Sequence, residues 1–347
     1  MRRRYALGLL VLFLLGLGAG IGGAIVFGPN TGPYEGDRSV IIPEESSLDQ
    51  AIDSLRTRGI LASASTFRLV ARATGWGGQI KAGHYRIAPY TSNYRLLDVL
   101  RRGLQAPVRL TIPPGSRPKT VAAVVGKQLQ MEADAFLEAL RDTSLARELD
   151  TAPAHLFGYM LPNTYEMYWQ TPAPTVVRRI KESFDRYYER NLAAGADTLG
   201  LTKREVVVLA SIVEWEALRD AEKPTIAGVY LNRLEEGWHL QADPTIQYVL
   251  LDTKGERTRR VLYRDLEIDH PYNTYQNRGL PPGPITNPSP TSLRAVARPE
   301  QHEYFYFAAD GTGGHTFSRT LREHNRAAEE YHETLDRRER ERDDDAR

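Results

Sequence analysis

The chain contains no cysteine, which removes thiol catalysis, disulfide staples and thiolate metal ligation together. Neither sign of charge is in surplus: 45 lysines and arginines face 44 acids, a net charge of +1. No global field therefore favours nucleic acid or an anionic surface. The sequence has no G-x-S-x-G elbow and no P-loop, and its eight histidines show no H-E-x-x-H or comparable ligand spacing. Serine-hydrolase, nucleotide-binding and zinc-hydrolase chemistry all lack their usual carriers. No metal, cofactor or nucleic-acid partner is expected.

What is present begins at the first residues. Arg2, Arg3 and Arg4 precede Leu7 to Gly28, 22 residues without a polar side chain. At 1.5 Å per residue a helix of that length spans about 33 Å, enough for a bilayer core of about 30 Å. The arginines are expected to stay cytoplasmic, so the rest of a single-pass protein would lie outside the cytoplasmic (inner) membrane. A cleaved signal peptide is the competing reading, but the apolar run exceeds a typical signal core and no A-x-A site follows it. Gly18, Gly20 and Gly23 formally match G-x-G-x-x-G, yet no strand precedes them, so a dinucleotide site is excluded on context.

At 347 residues the chain has room for this anchor and two or three domains. The expected class is α+β. The expected division runs as anchor 1–28, Gly/Pro-rich tether 29–38, small module 39–105, connecting half-repeat and helices 106–155, mixed α/β catalytic domain 156–335 and charged tail 336–347. In the small module, Val40 to Pro43 reads as a strand and Ser47 as the cap of a helix with Leu48, Ala51, Ile52 and Leu55 on one side. A second helix over 65–74 and a strand over 83–87 complete a strand–helix–helix–strand unit. Leu110 to Ser116 echoes Val40 to Ser46. Leu156 to Gln170 packs Phe157, Tyr159, Tyr165, Tyr168 and Trp169 into fifteen residues, equally readable as core or as a platform for sugar rings.

The organising stretch is Leu201 to Asp220. Thr202 followed by Glu205 predicts a capping box, and Val206 to Val213 is apolar except for Ser211, which predicts a helix covered on most sides. Glu214 and Glu216 follow directly. Two residues apart on a helix project to nearly opposite sides, so the two acids are not expected to meet on one bond. Glu214 shares its side with Val207, Ala210, Ser211 and Leu218. Such neighbours would hydrate a carboxylate poorly and keep it protonated near neutral pH, as a general acid requires. Glu216 is read as structural. Further on, Asp243 before Pro244 reads as a helix N-cap, and Gly279 to Pro288 is too rich in proline for helix or central strand. Such a loop is rigid before a ligand arrives. His315 reads as a hydrogen-bonded structural histidine rather than a metal ligand.

Six motifs then recur in a known order: Ala210-Ser211-Ile212-Val213-Glu214, Asn232-Arg233-Leu234, Leu240-Gln241-Ala242-Asp243-Pro244-Thr245, Tyr272-Asn273-Thr274-Tyr275, Gly279-Leu280-Pro281-Pro282-Gly283, and Gly314-His315-Thr316-Phe317-Ser318 with Glu323-His324-Asn325. Together they resemble the MltG (YceG-like) family of membrane-anchored endolytic murein transglycosylases, and the small module resembles LysM. Trp215 stands where the family often has lysine, and Ala242 where it often has threonine. The resemblance implies Glu214 as catalytic acid, with Gln241, Asp243, Thr245, Tyr272, Asn273 and Tyr275 lining a glycan groove beside Asn232 and His315. It implies peptidoglycan strands as substrate, 1,6-anhydro-N-acetylmuramic acid ends as product, and penicillin-binding synthases as partners. A lysozyme-like hydrolase using Glu214 with Asp243, or a scaffold that only binds peptidoglycan, are the alternatives.

Overall fold

The structure is a computed structural model that describes residues 2–255 and 261–331, with side chains from Leu7 onward. The charged tail expected over 336–347 lies outside the described residues. In chain order the elements are α1 (Arg2–Phe27), β1 (Arg38–Ile42), α2 (Leu48–Thr57), α3 (Ala64–Ala73), β2 (Gly83–Ile87), α4 (Asn93–Arg102), β3 (Val108–Thr111), α5 (Pro118–Gln128), α6 (Ala133–Arg141) and α7 (Thr143–Glu148). They continue with α8 (Pro153–Leu156), β4 (Thr164–Met167), α9 (Ala173–Asn191), α10 (Ala193–Thr198), α11 (Lys203–Glu216), α12 (Lys223–Glu235), α13 (Asp243–Lys254), α14 (Pro290–Ala297), β5 (Tyr306–Ala309) and β6 (His315–Ser318). The strands form three two-stranded sheets, β1–β2, β3–β4 and β5–β6. The class is thus mixed α and β. Leu7–Phe27 within α1 has a mean hydropathy of 2.5 and is long and apolar enough to cross a membrane.

The chain divides into two compact units, the first built from residues 1–109 with 128–130 and 166–171. Strands β1 and β2 run antiparallel with Val40 opposite Tyr85 and Ile42 opposite Gly83. Alternation turns Val40, Ile42, Tyr85 and Ile87 inward, onto Ala51, Ile52 and Leu55 of α2, Phe67, Val70 and Ala71 of α3, and Leu96, Leu97 and Leu100 of α4. Ser47 and Gln50 form a capping box at the start of α2. The expected strand–helix–helix–strand order is therefore present. The expected tether differs, because Asn30 and Thr31 are buried. The Asn30 amide donates to Asn93 Oδ1 (2.6 Å) and to the Ser63 carbonyl (2.8 Å), and its oxygen accepts the Ser63 N–H (2.8 Å). A buried amide with every bond made fastens the chain directly after α1.

The second unit contains residues 110–127, 131–165 and the chain from 172 onward. Its axis is α11. The Thr202–Glu205 capping box opens it, and every residue from Val206 to Val213 is buried. At about 1.5–3 kcal/mol per fully buried large aliphatic side chain, this rod is a major part of the unit's hydrophobic stabilisation. Ser211, its polar exception, donates to the Val208 carbonyl (2.7 Å) and accepts the Ile285 N–H (3.0 Å), tying α11 to the proline-rich loop. That loop is pinned by fully buried Asn287. Asn287 Oδ1 accepts the Ser116 N–H (2.8 Å) and Nδ2 donates to the carbonyls of Pro113 and Met160 (3.0 Å each). Gly158 completes the packing: a Cβ there would stand 2.6 Å from both Val207 Cγ1 and Pro284 Cγ. In the aromatic stretch, Phe157, Tyr159 and Tyr165 are buried while Tyr168 is exposed, so most of it is core.

Candidate active site

Helix α11 stops at Glu216, where the chain turns extended at Ala217. The two terminal acids point to different sides, as their spacing predicts, and they meet different surroundings. Leu218 is 87% exposed and lies beyond the helix, so it does not screen Glu214. Instead Glu214 Oε2 accepts from the Ser289 N–H (2.9 Å), Ser289 Oγ (2.5 Å) and Ser292 Oγ (2.6 Å), with Lys223 Nζ at 3.5 Å. Lys223 is itself buried and also meets Asp220 at 2.7 Å. The carboxyl of Glu214 is thus a hub that locks α11 to the start of α12 and to the N-terminus of α14. Its other side faces the backbone of Gly115, where a Cβ would lie 3.6 Å from Oε1.

The Glu214 side chain is 9% exposed, as shielded as expected, but the acid that faces a cavity is Glu216. It lines a cavity of about 330 Å³ together with Arg233, Gln241, Asp243, Tyr275 and Tyr306 among others. Its Oε2 accepts from the Tyr230 hydroxyl on α12 (3.1 Å). Burial, and after it the negative charge of Asp243, push the Glu216 carboxyl up to about 7, against the opposing effects of the Tyr230 hydroxyl and the Arg233 guanidinium. Across the cavity, Asp243 Oδ1 accepts from the Tyr275 hydroxyl at 2.6 Å. Burial and the Asp243 charge hold that hydroxyl well above its ordinary value, so it remains a donor. Asp243 is not the N-cap of α13; Ala242 holds that position, which leaves the Asp243 carboxyl to the cavity.

The wall carrying Gln241 is set by backbone geometry. Gln241 has φ 49°, a left-handed conformation that costs a non-glycine residue roughly 1 kcal/mol or more and needs support. Support comes from both sides. Arg233 Nη1 donates to the Leu240 carbonyl (2.5 Å) while Nε donates to that of Phe305 (2.7 Å). The Gln241 and Ala242 N–H groups donate to the Thr274 carbonyl and to Thr274 Oγ1 (3.1 and 3.0 Å). Thr245, fully buried, meets Thr274 Oγ1 at 2.9 Å. Asn273, equally buried, donates to the carbonyls of Leu266 (3.0 Å) and Ile268 (2.7 Å) and accepts the Tyr275 N–H (2.9 Å).

Of the residues expected to line a groove with the acid, the structure brings Gln241, Asp243 and Tyr275 to one cavity, and the others are not among its lining residues. Thr245 and Asn273 shape the backbone. Tyr272 stacks on Tyr248 with centroids 4.7 Å apart. Asn232 Nδ2 ties the carbonyls of His302 and Tyr304 (3.0 and 2.9 Å). His315 Nδ1 meets Glu222 Oε2 at 2.8 Å and its ring stands edge-on to Phe307, so the histidine is hydrogen-bonded as expected. Glu214 is absent from this cavity's wall, and the acid that shares the wall with Asp243 is Glu216. Sequence reasoning missed Glu216, Arg233 and Tyr306. The i, i+2 spacing announced that only one acid would face the groove, but not which.

The chain matches the YceG-like family over residues 40–330. A Bacillus subtilis (strain 168) protein named endolytic murein transglycosylase is 30% identical over 332 residues, covering 90% of this chain and 91% of that protein. A protein of the same name from Streptococcus pneumoniae (strain D39) is 29% identical over 84% of this chain and 58% of its own length. The crystal structure of a yceG-like protein from Listeria monocytogenes superposes with a TM-score of 0.59 at 28% identity, covering 84% of this chain and 99% of that one. With the family matched over most of its length and a relative at that identity covering nine-tenths of it, the chain belongs to the YceG-like (MltG) family.

Proposed function

We propose that the protein is an endolytic murein transglycosylase and that Glu216, in place of Glu214, is its catalytic acid. The observation that carries this is a carboxyl raised to about 7 in a cavity that also holds Gln241, Asp243 and Tyr275, in a chain whose relatives carry that activity in their names. A general acid works best when its pKa lies near the operating pH. Protonated Glu216 donates to the glycosidic oxygen leaving N-acetylmuramic acid as the C1–O bond breaks and positive charge grows at C1. Asp243, fixed by the Tyr275 hydroxyl, supplies negative charge to that transition state. The ionised Glu216 then takes the proton of the muramic 6-hydroxyl as its oxygen bonds to C1, closing a 1,6-anhydro ring. One carboxyl serves in both steps.

Asp243 and Tyr275 also line a second cavity of about 250 Å³ with Leu262, Tyr263 and Leu266. A polymer running across both cavities presents an internal bond to Glu216, as endolytic cleavage requires. Because Asp243 shares the cavity, a lysozyme-like hydrolase that uses Glu216 with Asp243 is the rival reading. Mass spectrometry of products from purified murein separates the two, since the anhydro end is lighter by one water than a reducing end. Glu216→Gln should abolish cleavage, whereas reducing ends from the wild type would sink the transglycosylase reading. In this proposal α1 is a single-pass anchor with the catalytic unit outside the cytoplasmic membrane, the β1–α2–α3–β2 unit is a LysM-like module, and cleavage of nascent strands limits elongation beside penicillin-binding synthases.

A further inference from the structure

The groove does not end at Gln241. Gln241 shares a further cavity of about 350 Å³ with Trp238, His239, Arg278, Glu236 and Gly237. The turn that builds it is specified locally. Gly237 takes φ 66° after α12, and the Trp238 N–H folds back to the Arg233 carbonyl at 2.7 Å. That reversal throws the indole outward. Phe305 lies behind it at 5.0 Å between centroids, and Tyr306, a wall residue of the catalytic cavity, stands edge-on at 6.0 Å. The ring is therefore held in place from behind, yet Trp238 remains 42% exposed.

A single exposed aromatic residue on a surface normally needs no explanation. Trp238 differs because its ring is braced by two aromatic neighbours and opens on a cavity joined to the acid through Gln241. Indole faces of this kind bind the C–H faces of pyranose rings, where an apolar body and polar rim are both used. Arg278 adds a second requirement. It is exposed, and among the described residues no hydrogen bond or ion pair engages its guanidinium. A guanidinium on a cavity wall matches a planar carboxylate. Murein is a polymer whose sugars carry such groups, since the lactyl carboxyl of each muramic residue is amide-linked to a peptide with free carboxylates; an amidase that removes the peptide leaves only the lactyl carboxylate, held close to the sugar ring and short of the reach of the peptide's own acids.

We infer that this cavity is a subsite for a peptide-bearing muramic residue, with Trp238 as platform for the sugar ring and Arg278 as partner for a carboxylate of the attached peptide. The inference rests on the murein reading above and deepens it. It makes the enzyme selective for strands that still carry their peptides over strands stripped by an amidase. Glu236 on the same wall offers an acceptor to sugar hydroxyls.

The test uses the full chain in detergent with two purified glycan substrates, peptide-bearing strands and the same strands after amidase treatment. Trp238→Ala should raise KM on both substrates by about tenfold, the scale of losing one stacked aromatic contact. Arg278→Gln should lower the ratio of kcat/KM for peptide-bearing over stripped strands by about tenfold, the scale of one charge-assisted pair. Arg278→Lys should recover only part of that ratio. Equal ratios for wild type and Arg278→Gln, or an unchanged KM in Trp238→Ala, would overturn the subsite. Failure of the murein reading shows separately. Binding of soluble muramyl-peptide oligomers to Glu216→Gln reports the subsite without cleavage, whereas the loss of anhydro products from the wild type concerns only the reaction.

Discussion

Replacing Glu216 by glutamine should remove activity and at the same time stabilise the protein in alkaline solution. The Glu216 carboxyl titrates at about 7 in the folded chain against a reference value of 4.5, because burial and the Asp243 charge disfavour its ionised form. Below about 4.5 the proton is bound in both folded and unfolded states, and the group is neutral in its effect. As pH rises the unfolded chain releases the proton while the folded chain keeps it, so stability declines until about 7 and then levels off. The accumulated penalty is roughly 3 kcal/mol, from the 2.5-unit difference at about 1.4 kcal/mol per unit. Glutamine carries no such penalty and can still accept from the Tyr230 hydroxyl. Thermal unfolding of wild type and Glu216→Gln in the same detergent should coincide near pH 4 and diverge by several degrees near pH 8, with the variant higher. A gap of the same size at both pH values, or a variant less stable at pH 8, would refute the argument that this acid is held protonated against its surroundings. A stabilising loss of function is what an acid tuned for chemistry should show.

Four further outcomes follow from the structure. For the wild type, kcat/KM should fall as pH rises through about 7. Asp243→Asn should move that limb to lower pH while leaving it above 4.5, since burial is the larger cause of the shift; a limb that stays in place would detach Asp243 from Glu216. Glu214→Gln should destabilise the protein by about 2–4 kcal/mol, because buried Lys223 and two hydroxyls lose their anionic partner. Product analysis of that variant should still find anhydro ends, which a catalytic Glu214 would not allow. Asn287→Ala should cost roughly 2–4 kcal/mol in chemical unfolding by orphaning the Ser116 N–H and two carbonyls.

Much of the architecture was legible because it depends on neighbours in the chain. The anchor-length run, the Ser47 and Thr202 caps and the burial of Val206 to Val213 on most sides are all consequences of local periodicity and turn chemistry. The aromatic stretch was not resolvable in that way, since Phe157, Tyr159 and Tyr165 became core only once α9 and α11 supplied facing surfaces. The tether also misled. Asn30 is polar and sits beside proline and glycine, but its amide is consumed by Ser63 and Asn93, distant in sequence.

The choice between Glu214 and Glu216 marks the boundary most clearly. Helical phase alone shows that the two acids face apart, and motif order alone identifies the family; both can be read from residues as they stand in line. Which acid faces a cavity depends on what arrives from elsewhere: Ser289, Ser292 and Lys223 converge on Glu214, while Tyr230, Arg233 and Asp243 gather around Glu216. A carboxyl's protonation is fixed by the field and burial of its three-dimensional neighbours, and a linear pattern carries no record of either.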